Sequence, residues 1–436
     1  MEIIKYPERS VWKEVLKRPE IDHSTLENTV SEILNDVKTN GDKAVLKYNA
    51  KFDKVELKSL VVTPEEIEEA RSLIDPPLRK AIILAKNNIE KFHAAQKLTT
   101  KAMETTPGVK CWQRSIAIEK VGLYIPGGTA PLFSTVLMLG IPAIIAGCNE
   151  IVLCSPPGKD GKIHPSILYT ADLIGIKKIF KVGGVQAIGA MAYGTETIPN
   201  VYKVFGPGNQ YVTAAKQMIT RIGLAIDMPA GPSEVAVIAD KTSNPAYIAS
   251  DLLSQAEHGV DSQVVLFTTD EKVIPAIELE VERQLAELPR KEIAIVSLGN
   301  SKVIVAKNNV EMMELINEYA PEHLIISTDN AEELGEKVIN AGSVFLGHLT
   351  PESAGDYASG TNHTLPTNGY AKIYSGVNLD SFVKKVTYQQ ITDYGIFNIG
   401  PAIEKMAELE NLHGHKNAVT LRLKQVVNKY CNDKLG

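Results

Sequence analysis

From about Lys120 onward the chain alternates short apolar runs with helical stretches, and nothing else in the sequence constrains the fold as strongly. The first series of runs lies at 121–125, 150–154, 178–182 and 202–205. A second lies at 234–239, 263–268, 293–297, 324–327 and 343–346. Most are followed by a Gly/Pro-rich turn and then a helical pattern. Continuous apolar runs suit strands buried on both faces, and the helices between them are the crossovers that parallel strands need. The pattern predicts two α/β units, each a parallel sheet covered by helices, with a boundary near Ala230-Gly231-Pro232-Ser233.

The ends read differently. Leu26, Val30, Ile33, Leu34 and Val37 recur at helical spacing within 24–40. Thr63-Pro64-Glu65-Glu66 is a helix start running to about Ser72, before Asp75-Pro76-Pro77, and a further helix is expected over 78–96. Residues 350–374 are rich in Gly, Ser, Thr and Asn and read as a functional loop region. Beyond Asp380 a short tail holds an amphipathic helix and the run 410–422.

Composition excludes several classes. At 436 residues the chain is too long for one core, and 44% apolar with 22% charged residues is ordinary for a globular protein. The net charge is −6 and no basic patch stands out, so nucleic acid is not an expected partner. The N-terminal segment has no basic region followed by an apolar core, and the longest apolar stretch, near 135–147, is broken by Gly140 and Pro142. No secretory leader and no membrane span are expected. Cys111, Cys148, Cys154 and Cys431 form no CxxC pair, which argues against a disulfide framework and against thiolate-bound zinc. The expectation is a cytoplasmic enzyme.

Six of the nine histidines follow Gly231, several beside carboxylates or glycines. Asn244 and Pro245 open a helix that Gly259 would stop, placing Gln255 and His258 on one face, where both can ligate a metal. The plain alternative is a surface helix with a histidine at its C-terminal dipole. Ala320-Pro321-Glu322-His323 brings two candidate bases to one turn, or is a solvated connection between helix and strand. In the stretch 353–367, Asp356 can ligate a metal and His363 contact a substrate, or the segment is a plain mobile loop. Glu410, His413 and His415 form a further cluster, or an exposed polar tail. Together these offer His nitrogens with Asp and Gln oxygens and no sulfur, a set that suits Zn²⁺, with Mn²⁺ or Co²⁺ also possible.

The glycine-rich turns Tyr124-Ile125-Pro126-Gly127-Gly128, Val182-Gly183-Gly184-Val185-Gln186 and Phe205-Gly206-Pro207-Gly208-Asn209 each follow or close a strand-like run. Strand-end turns are where open α/β sheets bind nucleotides, yet none of the three is a complete GxGxxG, and any α/β fold needs tight turns.

In their order along nearly the whole chain, these blocks resemble the histidinol dehydrogenase family. The most specific are VGLYIPGG (121–128), FGPGNQYV (205–212), DMPAGPSEV (227–235), SQAEHG (254–259), APEHL (320–324), AGDYASGTNHTLPT (354–367) and HKNAVTLR (415–422). The resemblance implies two Rossmann-like, aldehyde-dehydrogenase-like parallel-sheet domains. It places a helical segment at 1–23, a first domain at 24–120 with 236–379 on the zinc and substrate side, a cofactor domain at 121–235, and a tail at 380–436 that crosses to a dimer partner. It implies zinc ligation by Gln255, His258, Asp356 and His415, an acid–base pair of Glu322 and His323, substrate contacts from the four zinc ligands, His323, Ser233, His363 and Glu410, and NAD contacts from Tyr124, Gln186 and Asn209. It further implies a homodimer with a shared site and a four-electron oxidation of histidinol to histidine. The stretch between Pro131 and Pro142 departs from the family pattern at Phe133 and Leu139-Gly140, where a small shift in packing is expected. A zinc hydrolase, a noncatalytic nucleotide-binding module and a dehydrogenase for another amino alcohol are the competing readings.

Overall fold

The computed structural model describes residues 1–19, 24–127 and 131–432, so Gly128 of the first glycine turn lies outside the described residues. In chain order the strands are β1 (Glu2–Lys5), β2 (Met103–Thr106), β3 (Val109–Ala117), β4 (Lys120–Tyr124), β5 (Glu150–Ser155), β6 (Lys178–Lys181), β7 (Lys203–Phe205), β8 (Ala225–Ile226), β9 (Glu234–Ala239), β10 (Gln263–Thr268), β11 (Lys302–Val305), β12 (His323–Ser327), β13 (Ser343–Leu346) and β14 (Val383–Ile391).

The two expected parallel sheets are present. One is five-stranded, in the order β6-β5-β4-β7-β8, and the other six-stranded, β1-β11-β10-β9-β12-β13; every pairing within them is parallel. Strands β9 (EVAVIA) and β10 (QVVLFT) are buried at every position. Helices cover both of their faces, so no residue has to alternate outward. Val235 and Val237 pack to one side with Ile248 and Leu252, while Ala236 and Ile238 pack to the other with Leu315 and Ile316.

Several expectations need correction. The run at 293–297 is not a strand but part of the helix Lys291–Gly299; the strand of that region is β11. Ala294, Ser297 and Leu298 are the buried positions, a helical spacing, while Ile295 and Val296 face outward. The N-terminal segment expected to be helical opens with β1, which pairs with β11. The resemblance places the helices within 24–96 with the sheet of 236–379. Instead, helix Ser24–Tyr48 buries Val30, Ile33 and Val37 against Val152, Cys154 and Ile188 of the five-stranded unit. Helix Pro76–Ala94 likewise packs Ile82 and Ile89 on Leu137 and Ile141. The departure at Leu139-Gly140 has a local reason: a Cβ on Gly140 would lie 2.5 Å from Ile174 Cδ1, so glycine admits that isoleucine.

The chain divides into two compact units, 1–96 with 118–382, and 97–117 with 383–436. The smaller contains an antiparallel sheet, β14-β3-β2, that the sequence reading did not anticipate. Its strands are mostly exposed, so they lack the apolar runs that marked the others. The helices Asp393–Leu409 and His413–Asn432 complete it. Among the described residues no helix is long and apolar enough to cross a membrane.

Candidate active site

Two adjacent parallel strands carry the centre of the site at their N-terminal ends. β9 begins at Glu234 and β12 at His323, which is in register with Val235. The helix Asn309–Tyr319 ends at Ala320, whose φ of 52° and ψ of 66° are left-handed. Pro321 then prevents any continuation of the helix. This sharp reversal delivers Glu322 and His323 to the interior rather than to a solvated turn: they are 6% and 4% exposed.

Around them the structure gathers Gln255, Glu352 and Asp356. His323 Nδ1 lies 3.7 Å from Glu322 Oε2, and its Nε2 lies 3.5 Å from Asp356 Oδ1. Gln255 is the penultimate residue of helix Pro245–Ala256, whose start at Asn244 and Pro245 is as expected. In the amide orientation that satisfies both of its ends, it donates to Glu352 Oε1 (2.6 Å) and accepts from the Glu234 N–H (2.8 Å). That N–H also points to Glu322 Oε2 (2.9 Å). The helix stops at Ala256, so His258 sits in the turn beyond rather than on the helical face. Its ring is close enough to feel the charges of Asp356 and His323. His363 Nδ1 donates to the Asp356 main-chain carbonyl, and its Nε2 pairs with Thr135 Oγ1, each at 3.0 Å. Ser233 lies half-buried just before β9.

Burial and charge set the protonation states. Desolvation pushes the Glu322 carboxyl up to about 7, against the opposing pull of His323. For His323 burial disfavours the cation, but the carboxylates of Glu352, Glu322 and Asp356 outweigh it and raise the ring to about 10. Burial also raises Glu352, to about 8. His323 Nδ1, His323 Nε2 and Glu352 Oε2 are buried without a hydrogen-bond partner.

Those orphaned atoms bear on metal binding. His323, Glu352 and Asp356 each bring a ligand atom within 4.8 Å of the others. A site of buried nitrogen and oxygen donors with excess negative charge fits a divalent cation such as zinc. Asp356 is common to this cluster and to the ligand set expected from sequence. Glu352 was missed, and its only signal was an acid after Pro351 at the head of the small-residue segment. Thr135 was missed as well. Glu410 and His415 are exposed residues of the smaller unit, at the end of one helix and the start of the next.

The glycine turns lie at the C-terminal ends of the five-stranded sheet. Tyr124 ends β4, and its hydroxyl accepts from the Gly184 N–H (3.2 Å). Gln186 is buried in the first turn of helix Gly184–Tyr193. Asn209 caps helix Gln210–Ile219, accepting from the N–H groups of Tyr211 and Val212 at 3.1 Å. Gly206 has φ +129°, and a Cβ there would lie 2.1 Å from Tyr124 O, so only glycine lets β7 turn so close to β4. Gln186 Oε1 is buried and unpartnered in the first turn of its helix. These features fit a dinucleotide, whose phosphates favour helix N-termini and whose hydroxyls are donors.

Fold and site together define an α/β enzyme with a buried glutamate–histidine pair at the N-terminal ends of interior strands in one parallel sheet and glycine-rich turns at the C-terminal ends of the other. The sequence profile described as histidinol dehydrogenase matches residues 16–423. The histidinol dehydrogenase of Bacteroides thetaiotaomicron is 64% identical over 423 residues, covering 97% of this chain and 99% of that one. That of Salmonella typhimurium is 53% identical over 412 residues, 94% of each chain. The crystal structure of histidinol dehydrogenase from Elizabethkingia anophelis superimposes with a TM-score of 0.96 at 57% identity, covering 98% of both chains. The chain belongs to the histidinol dehydrogenase family.

Proposed function

We propose that this protein oxidises histidinol through the aldehyde to histidine, the end of histidine biosynthesis, using NAD twice and zinc. The observation that carries the mechanism is the buried Glu322–His323 pair at the start of β12, set among Gln255, Glu352 and Asp356. Zinc, when bound, supplies positive charge that holds the substrate's imidazole and amine nitrogens and offsets the carboxylates. Gln255, His258 and Asp356 would hold it, with His415.

In the first oxidation His323 accepts the hydroxyl proton at a ring nitrogen as hydride passes to NAD. With the carboxylate charge offset, its pKa falls toward the range in which it can take that proton. The aldehyde then adds water. Glu322, whose buried carboxyl is held near neutrality, takes the proton from that water while His323 returns its proton to the carbonyl oxygen, giving the hydrate and a ring free to act again. His323 next takes a proton from the hydrate as a second hydride leaves to a second NAD, giving the acid. Ser233 and His363 orient the substrate, and Tyr124, Gln186 and Asn209 bind the cofactor. Glu410 and His415 would complete the site across a homodimer, as the family resemblance implies. A cytoplasmic location accords with such a biosynthetic role.

The test is nicotinamide absorbance at limiting histidinol. About two reduced cofactors per histidinol are expected, with turnover lost on chelation and in His415→Ala. No reduction by metal-replete native protein overturns the reading.

A further inference from the structure

Beside the glycine turn of 182–184 a short π-helical segment, Asn49–Asp53, interrupts the regular helical path after Tyr48. Such insertions are rare and concentrate at functional sites. This one ends on Lys54, a non-glycine residue held at φ 60°. Its first residue, Asn49, is fully buried and ties the segment to the cofactor side of the five-stranded sheet. The Asn49 amide donates to Lys181 O (2.8 Å), and its oxygen accepts from Gln186 Nε2 (3.3 Å). Lys181 ends β6 and Gln186 lies in the first turn of the helix that follows, so Asn49 clamps both sides of the glycine turn.

Asp53, one turn further on, has an oxygen in a different situation. Its Oδ2 is buried and has no hydrogen-bond partner. Gln186 Oε1 is buried and unpartnered too. The charge of Asp53 reaches the hydroxyl of Tyr124, which borders the same turn. The region therefore presents unpaired acceptors, one of them anionic, and needs donors from outside. A vicinal diol provides two O–H donors and no charge. A phosphate provides acceptors and negative charge, and would face the carboxylate directly.

We propose that Asp53 is a specificity-determining residue of the cofactor site, its carboxylate accepting the ribose hydroxyls of NAD and excluding the 2′-phosphate of NADP. The inference rests on the NAD reading above and goes beyond it, because Asp53 belongs to none of the glycine turns. The chemistry parallels the acidic residue that binds the ribose diol in Rossmann domains, but the carboxylate comes from a π-turn outside the sheet instead of a strand end.

The experiment measures equilibrium binding of NAD and of NADP by calorimetry to the full-length, metal-replete protein, for native, Asp53→Asn and Asp53→Ser. Histidine binding and the thermal unfolding midpoint are recorded alongside. Native protein is expected to prefer NAD by more than about tenfold, and both variants to bring that ratio within a few-fold of unity. NAD should weaken by about tenfold, with histidine binding unchanged. Removing a carboxylate whose Oδ2 is buried and unpartnered should leave the unfolding midpoint at or above the native value. An unchanged NAD-to-NADP ratio in both folded variants overturns the assignment of Asp53 while leaving the NAD reading intact. Failure of native protein to bind either dinucleotide overturns both.

Discussion

Replacing Arg18 with methionine removes the cation that closes on Glu234, at the head of β9. Arg18 donates from Nε and Nη2 to the two oxygens of Glu234, and from Nη2 to Tyr319 O at 2.6 Å. Its guanidinium lies 4.0 Å from the centre of the Tyr319 ring. The Glu234 side chain is 3% exposed and that of Arg18 16%. Methionine preserves the apolar stem over the ring but leaves a buried carboxylate with no positive partner. Breaking such a pair costs about 3–5 kcal/mol. The residual exposure of Arg18 puts the expected loss near the lower end, about 3 kcal/mol. The pair also braces the main chain whose N–H serves Glu322 and Gln255, so kcat should fall with stability. The assay is urea unfolding of native protein, Arg18→Met, Glu234→Met and the double variant. If the loss is that of an uncompensated charge, the double variant should return to within about 1 kcal/mol of native. A loss below about 1 kcal/mol in Arg18→Met, or a double variant as damaged as the sum of the singles, would refute the reasoning.

Other outcomes follow from the same physics. Asp251 is buried, and desolvation raises its carboxyl from 3.8 to about 7. A raised acid stabilises the fold below its ordinary pKa and loses that contribution as pH rises through the folded value. Asp251→Asn should therefore gain stability over native protein above pH 7, by about 2 kcal/mol after allowing for local relaxation, with no gain near pH 4 in denaturant titrations. Gly206→Ala puts a methyl against Tyr124 O and should weaken NAD binding by about 10- to 100-fold while histidine still binds. Chelation should lower the thermal unfolding midpoint, and added zinc should restore it. About 3 kcal/mol is at stake at a hundredfold excess over the dissociation constant, and an unchanged midpoint would count against a structural metal.

What the sequence revealed depended on burial. β9 and β10 are apolar at nearly every position because helices cover both faces, so they stood out. Strand β14, VKKVTYQQI, is mostly exposed and mixes charge with apolar residues, so it reads as tail. The run 293–297 misled because β-branched residues are found on exposed helix faces as well as in strands. Within the site, His323, Asp356 and Gln255 carried local motifs. Glu352 had none: its place depends on Gln255, 97 positions earlier (352 − 255), an amide partner that only the packed structure brings near. Asp53 was hidden for a similar reason, since a π-turn has no composition of its own.

The pairing of β1 with β11 has a consequence for synthesis. Glu2 lies opposite Lys302, and Lys5 opposite Val305. Strands β4 to β8 lie within 120–226, so the five-stranded sheet can close while the ribosome is still translating the second half. β1 leaves the exit tunnel before the other strands named above, yet its partner edge is made about 300 residues later, roughly 15–60 s at ordinary elongation rates. Throughout that interval the segment EIIK is a nascent strand without an edge to join. Slowing translation should therefore lengthen the window in which a chaperone can hold this segment.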